Sequence, residues 1–331
     1  MIDLHLHLDG SLSAETIIKL AQKQGVALPT YDKKELEKKY LSVPKECESL
    51  NDYLKCFELP LSVLQTKGAI TQAVYALQEN LKKQGLIYAE IRFAPQLHTQ
   101  NGLTQQEVIE AAIKGLNKSS LKSNLILCCM RGDNNHEENI ETVNLAEKYL
   151  NKGVCAVDLA GAEALFKTHT FNKEFELARQ KNIPFTIHCG EADGPESIKA
   201  ALDFGAKRLG HGIHAIEDKE LMERIKRENI YLEMCPTSNF QTKTVETKED
   251  YPFKKFIKAG LNVTINTDNT TVSNTTIDGE YKFLEKHFGL TENDKYKLMN
   301  NSINAAFISE KEKRELRNLL NQKLEEQTQT F

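Results

Sequence analysis

The chain has 331 residues, 40% hydrophobic and 27% charged, which is enough apolar material for a large buried core and argues against disorder. Its formal net charge of −4 gives no electrostatic case for a nucleic-acid or anionic-membrane surface, and no segment approaches the roughly 18 apolar residues of a membrane span. Seven cysteines, an odd number with no CxxC pair, fit a reducing compartment, and the opening MIDLHLHLDG lacks an export pattern, so a cytoplasmic protein is expected.

In chain order, short runs rich in Val, Ile, Leu and Phe alternate with stretches of helical period. The first predicted strand, Ile2–Leu8, carries His5 and His7, two apart and therefore on one face. A helix over Ala14–Gln24 follows, inside a long insertion covering about 10–85. Within that insertion Leu50, Tyr53, Leu54, Phe57, Leu61 and Leu64 share one helical face. Such a face either packs on the body of the protein or covers an active-site mouth as a lid. A helix over Ile70–Lys83 leads to the second strand, Ile87–Phe93, and one over Gln105–Lys118 to the third, Leu125–Arg131, where Cys128 and Cys129 read as core residues. The fourth strand, Val154–Ala160, follows a helix over Glu137–Asn151. Helices over Asn172–Lys181, Pro195–Phe204, Asp218–Arg227 and Pro252–Ala259 alternate with strands over Pro184–Cys189, Arg208–His211, Ile230–Cys235 and Val263–Asp268. Two further helical stretches follow from about Thr291. Eight strands, each followed by a helix, predict an α/β fold, a single (β/α)₈ TIM barrel covering 1–331.

Barrel strands end in apolar residues unless their C-terminal ends line an active site. Here reactive groups collect at those ends: His5 and His7, Asp158, His188 with Glu191, His211 between two glycines, and Asp268 with Asn269. Any one of these histidines alone is ordinarily a satisfied core or loop residue; their convergence on one rim is the signal. Imidazole nitrogens and a carboxylate suit zinc, so His5, His7, His188 and Asp268 are the candidate ligands. No Lys stands after the fourth strand to bridge a second metal, which favours one ion. Glu191, three residues past His188, is placed to act as a general acid, and His211 to take a proton from a metal-activated water. His98, His136, His169, His214 and His287 fall in loops or on helices and are expected to have no catalytic role, while Cys189 should face the helices.

The segments HLHLDG, DLAG, HCGE, RLGHG, CPTSN and NTDN occur in the order and spacing of adenosine deaminases, and the chain resembles that family from about Asp3 to about Ser309. The resemblance implies a (β/α)₈ barrel with one zinc ion that converts adenosine and 2′-deoxyadenosine to their inosine forms and ammonia. It matches His5, His7, His188 and Asp268 to the zinc ligands, Glu191 to the acid at ring nitrogen 1 and His211 to the base. It also implies that the Gly161 N–H meets ring nitrogen 3, that Asp9 accepts from the ribose 5′-hydroxyl, and that Leu50, Tyr53, Leu54 and Phe57 form an apolar lid. Many family members carry a second aspartate where this chain has Asn269; an amide can always donate, so a contact to ring nitrogen 7 is kept. Thr270 replaces a proline common in the family.

The alternatives are relatives acting on adenine or on 6-substituted AMP, which tend to replace the aspartate of HLDG, and metal phosphoesterases, which need ligands for more ions. A barrel kept only for binding would have lost a ligand or Glu191, and all are present. The expected partner is a small purine nucleoside, with no nucleic acid, membrane or obligate protein partner.

Overall fold

Eight parallel strands, β1 (Ile2–His7), β2 (Tyr88–Phe93), β3 (Ser123–Met130), β4 (Val154–Ala160), β5 (Thr186–Cys189), β6 (Arg208–His211), β7 (Tyr231–Met234) and β8 (Asn262–Ile265), alternate with helices in a computed structural model that describes residues 1–328. They pair in sequence order as β1-β2-β3-β4 and β5-β6-β7-β8. Two isolated parallel bridges, Val157 to Phe185 and Leu6 to Asp268, join these halves into a closed ring. The second seam is short and firm: the His7 N–H donates to the Asp268 carbonyl and the Asp268 N–H to the His5 carbonyl, each at 2.8 Å. The fold is the TIM barrel that the alternation of elements predicts.

Strand alternation decides what faces where. Leu6, Ile91, Leu127, Leu159, Ile187 and Leu209 point outward into one continuous apolar layer shared with the surrounding helices. Inward, the barrel carries charge instead of the usual branched apolar layers: Glu90, Arg92, Asp158, Arg208 and Glu233 are all fully buried. Each is paired. Arg92 donates to Asp158 (2.8 Å) and Glu233 (2.9 Å), and Arg208 donates to Glu233 and Glu90.

Several boundaries differ from the sequence expectation. The last strand stops at Ile265, and the chain continues through Asn266 and Thr267 to Asp268, whose φ of +61° turns it off the ladder. The apolar face from Leu50 to Leu64 is not one helix. A turn of α-helix over Leu50–Leu54, capped by the Ser49 side chain, becomes 3₁₀ over Lys55–Phe57 and resumes over Glu58–Ser62. Pro60 lacks the N–H that a continuous helix would use and crowds the preceding turn. Helices over Glu292–Ala305 and Glu310–Thr328 follow the barrel; Ile303, Leu316 and Leu320 pack beneath it on Ile2 and Leu4. No helix among the described residues is long and apolar enough to cross a membrane.

Candidate metal and substrate site

At the C-terminal rim, donor atoms of His5, His7, His188 and Asp268 all lie within 4.8 Å of one another. His7 Nε2 is 3.1 Å from His188 Nε2, and Asp268 Oδ1 is 3.3 Å from both His5 Nε2 and His7 Nε2. Two of the rings are oriented from behind. His5 Nδ1 lies 2.8 Å from Glu233, and His188 Nδ1 lies 2.9 Å from Asp158. Ionised carboxylates only accept, so both Nδ1 atoms carry hydrogen and both Nε2 lone pairs face the centre. His5 Nε2 is buried there without a hydrogen-bond partner. Lone pairs facing each other at these distances need a cation between them. Bonds of about 2.0–2.1 Å at tetrahedral angles would set neighbouring donors roughly 3.4 Å apart, so the spacing fits zinc. Asp268 Oδ2 is held separately by the Ser238 hydroxyl at 2.6 Å.

Beside these donors lie Glu191 and His211, both almost fully buried. Burial, then the nearby Asp268 and Glu163, hold the Glu191 carboxyl well above the usual carboxylate range. Its Oε1 has no partner, and its Oε2 lies 3.4 Å from His211 Nε2. A carboxyl kept neutral with a free oxygen is equipped to donate a proton. His211 is held well below the usual imidazole range, first by burial and next by His5, so its ring is neutral. Its φ of +61° is uncommon for a residue with a side chain, and the Asn239 amide N–H donates to its Nδ1 at 3.0 Å, so in the neutral ring it is Nε2, beside Glu191, that carries the hydrogen.

A cavity of about 190 Å³ opens above, and every predicted site residue except His5 lines it; His5 lies beneath. Leu50, Leu54 and Phe57 of the insertion line it together with Phe93, Met130 and Ala160 of the barrel rim. Asp9 is buried at the cavity edge, its carboxyl pushed up to about 6 by burial. Asn269 Oδ1 is buried without a partner and presses against Gly10, where a Cβ would come within 1.8 Å of it; only glycine fits. Cys128 is a buried strand residue as expected, packed with Ala94 and Ala160, and because β3 turns it inward, 3.8 Å from Asp158 Oδ2, it also lines the cavity. Cys129 and Cys189 do lie in the outer apolar core. His98, His136, His169, His214 and His287 line none of it.

The adenosine deaminase family model matches residues 1–323. The chain belongs to the adenosine deaminase family. An adenosine deaminase from Haemophilus ducreyi is 52% identical over 324 residues, covering 96% of this chain and 94% of that protein. One from Enterococcus faecalis is 42% identical over 330 residues, covering 98% and 96%. Among solved structures, adenine deaminase from Arthrobacter aurescens has a TM-score of 0.86 at 27% identity, covering 98% of each chain.

This member of the family also uses residues that sequence reasoning missed. Asp158 and His188 are both visible at strand ends, but their pairing is not, and Glu233 and Arg92 read as ordinary strand residues. Ser238 and Asn239 sit in the segment CPTSN, whose order and spacing carry the family resemblance but do not by themselves say what its polar groups hold. Glu163, just past DLAG, left no signal.

Proposed function

We propose that the chain catalyses hydrolytic deamination of adenosine and 2′-deoxyadenosine to inosine, 2′-deoxyinosine and ammonia, with one zinc ion held by His5, His7, His188 and Asp268. The observation that carries this reading is the convergence of three imidazoles and a carboxylate beneath a cavity that a protonated Glu191 enters. When bound, zinc supplies water acidified from a pKa of 15.7 towards about 7. Neutral His211 takes a proton at Nε2 as water adds at carbon 6, in the tautomer with hydrogen on Nδ1, for which the Asn239 amide turns its oxygen instead of its nitrogen to the ring. Glu191 delivers its proton to ring nitrogen 1, which draws electron density from carbon 6. The proton held by His211 then passes to the amino group, which leaves as ammonia, and the new hydroxyl at carbon 6 returns its proton to Glu191 as the carbonyl forms.

The cavity wall supports a nucleoside. Gly161, at φ +107°, presents its N–H without a side chain in the way, suiting ring nitrogen 3. The Asn269 amide suits nitrogen 7. Asp9 accepts from the 5′-hydroxyl and would repel a 5′-phosphate. Leu50, Tyr53, Leu54 and Phe57 cover the base as a lid, and seven free cysteines suit a reducing cytoplasm.

Ammonia release is measured with adenosine, 2′-deoxyadenosine, adenine, AMP and N6-methyl-AMP, alongside zinc content. About one zinc per chain and turnover of the two nucleosides are expected. Preference for adenine, which the Arthrobacter likeness makes the second reading, would overturn the nucleoside assignment. Asp9→Ala sharpens the test, because a charged hydrogen bond contributes roughly 1.5–3 kcal/mol. Adenosine should lose about one to two decades in kcat/KM, while 5′-deoxyadenosine, lacking the hydroxyl, changes little. Equal losses would leave Asp9 as loop support.

A further inference from the structure

Glu163 lies at the rim with 1% of its surface exposed, and its carboxylate accepts four hydrogen bonds. Oε1 accepts from the Gly190 N–H (2.6 Å) and the Ser197 hydroxyl (2.5 Å); Oε2 accepts from the N–H groups of Glu191 (2.9 Å) and Ala192 (2.7 Å). Three successive backbone N–H groups around one anion form a nest. The nest depends on the left-handed turn at Gly190, φ +63°, where a Cβ would meet Ile198 Cδ1 at 2.4 Å. Behind Glu163 the bonding continues: the Ser197 hydroxyl is 2.6 Å from that of Thr168, and Arg131 donates to Thr168 (2.9 Å) and to the His188 carbonyl (2.6 Å). Glu163 itself stands two residues past Gly161, on the loop that leaves β4.

We propose that Glu163 is the positioning residue for Glu191. By gripping the backbone N–H of Glu191 and of both its neighbours, its carboxylate fixes the direction in which the Glu191 side chain enters the cavity. Because it stands on the loop that carries Gly161, it also sets the spacing between the groups assigned to ring nitrogens 1 and 3. It lines no part of the cavity and supplies none of the clustered metal donors. The inference deepens the proposed deamination and rests on it.

In Glu163→Gln one acceptor oxygen is left for four donors, and an NH₂ group faces the remaining N–H groups. The zinc-loaded variant should lose about 10- to 100-fold in kcat with adenosine, the scale of a sub-ångström to 1 Å misplacement. KM should stay within about threefold of wild type, and zinc content should be unchanged. In a Glu191→Gln background the same change should cost no more than about twofold, because no proton remains to be aimed. Multiplicative losses, loss of zinc, or an effect on KM alone would overturn the proposal. Should Glu163→Gln fail to fold, Ser197→Ala, which removes one of the four donors, goes through the same cycle. A kcat loss that vanishes beside Glu191→Gln supports the proposal; an additive loss overturns it. Wild-type ammonia release, measured first in the same assay, tests the reaction itself, so its failure is separate from a failure of coupling.

Discussion

Glu191 is a carboxyl group in a place where a carboxylate would be unstable: buried, near Asp268 and Glu163, with one oxygen lacking any partner. Its surroundings favour the neutral acid, the form that can give up a proton. Glu191→Gln keeps the shape and the capacity to donate a hydrogen bond but has no proton to transfer. Zinc content and the unfolding midpoint should match wild type, while kcat falls by roughly 10²–10⁴, the usual contribution of a positioned acid. Near-normal turnover would demote Glu191 to a structural residue at the turn. At this scale the sequence was informative wherever a reactive side chain ends a strand, because strand ends in a barrel share one rim. His5, His7, His188, Glu191, His211 and Asp268 were legible for that reason. Their supports were not: Glu233, Asn239 and Glu163 act on residues 228, 28 and 28 positions away, and nothing local marks such a pairing.

Among the elements, two anchor the rim from outside the barrel. The short helix Pro236–Gln241 brings Ser238 to Asp268 and Asn239 to His211. It is tied to the helix Ile277–Phe288 through Glu280, which accepts from the Thr237 N–H (3.1 Å) and the Thr275 hydroxyl (2.7 Å). Burial pushes the Glu280 carboxyl up to about 7. An unfolded glutamate titrates near 4.3, so between there and about 7 the folded chain holds a proton that the unfolded chain releases. This contribution to stability is therefore complete below the unfolded pKa and is lost as pH rises through about 7, at about 1.4 kcal/mol per pKa unit. Glu280→Gln removes it. Urea unfolding at pH 5 and pH 8 should show the variant gaining on wild type by on the order of 2–3 kcal/mol across that interval. Parallel pH dependences would mean that Glu280 is ionised in the fold throughout. Element order was readable from alternating periodicities, and the helices Ala14–Gln24 and Pro195–Phe204 fall where expected. The insertion was harder. Its apolar spacing indicated the right face, but Pro60 and the Tyr53–Ser273 hydroxyl contact (2.7 Å) determine a broken path that spacing alone does not carry.

Across the whole molecule, the barrel interior and the rim form one electrostatic unit. Glu233 accepts from His5 Nδ1 (2.8 Å), Arg92 (2.9 Å), Thr186 (3.0 Å) and Arg208 (2.5 Å). Burial alone would raise its carboxyl, but Arg208 and Arg92 outweigh that and hold it well below the usual range. Arg92 passes the same restraint to Asp158, which holds His188. Two metal-facing histidines on opposite sides of the ring are thus oriented through one guanidinium. Replacing the whole network with apolar residues could cost little stability, but removing one charge strands its partners, typically at 3–5 kcal/mol. Glu233→Gln should therefore act twice. The amide leaves Arg92 and Arg208 short of countercharge, and it can offer His5 an N–H, inviting the tautomer whose Nε2 carries hydrogen. Zinc affinity, read by competition with a chromogenic chelator, should weaken by roughly 10- to 100-fold. Unfolding free energy of the metal-free protein should fall in the same variant, since the stranded charges lie in the barrel and not at the metal. A loss of stability with zinc affinity intact would show that Glu233 fills the barrel without setting the His5 tautomer. Loss of zinc affinity alone would show that the arginines find other partners.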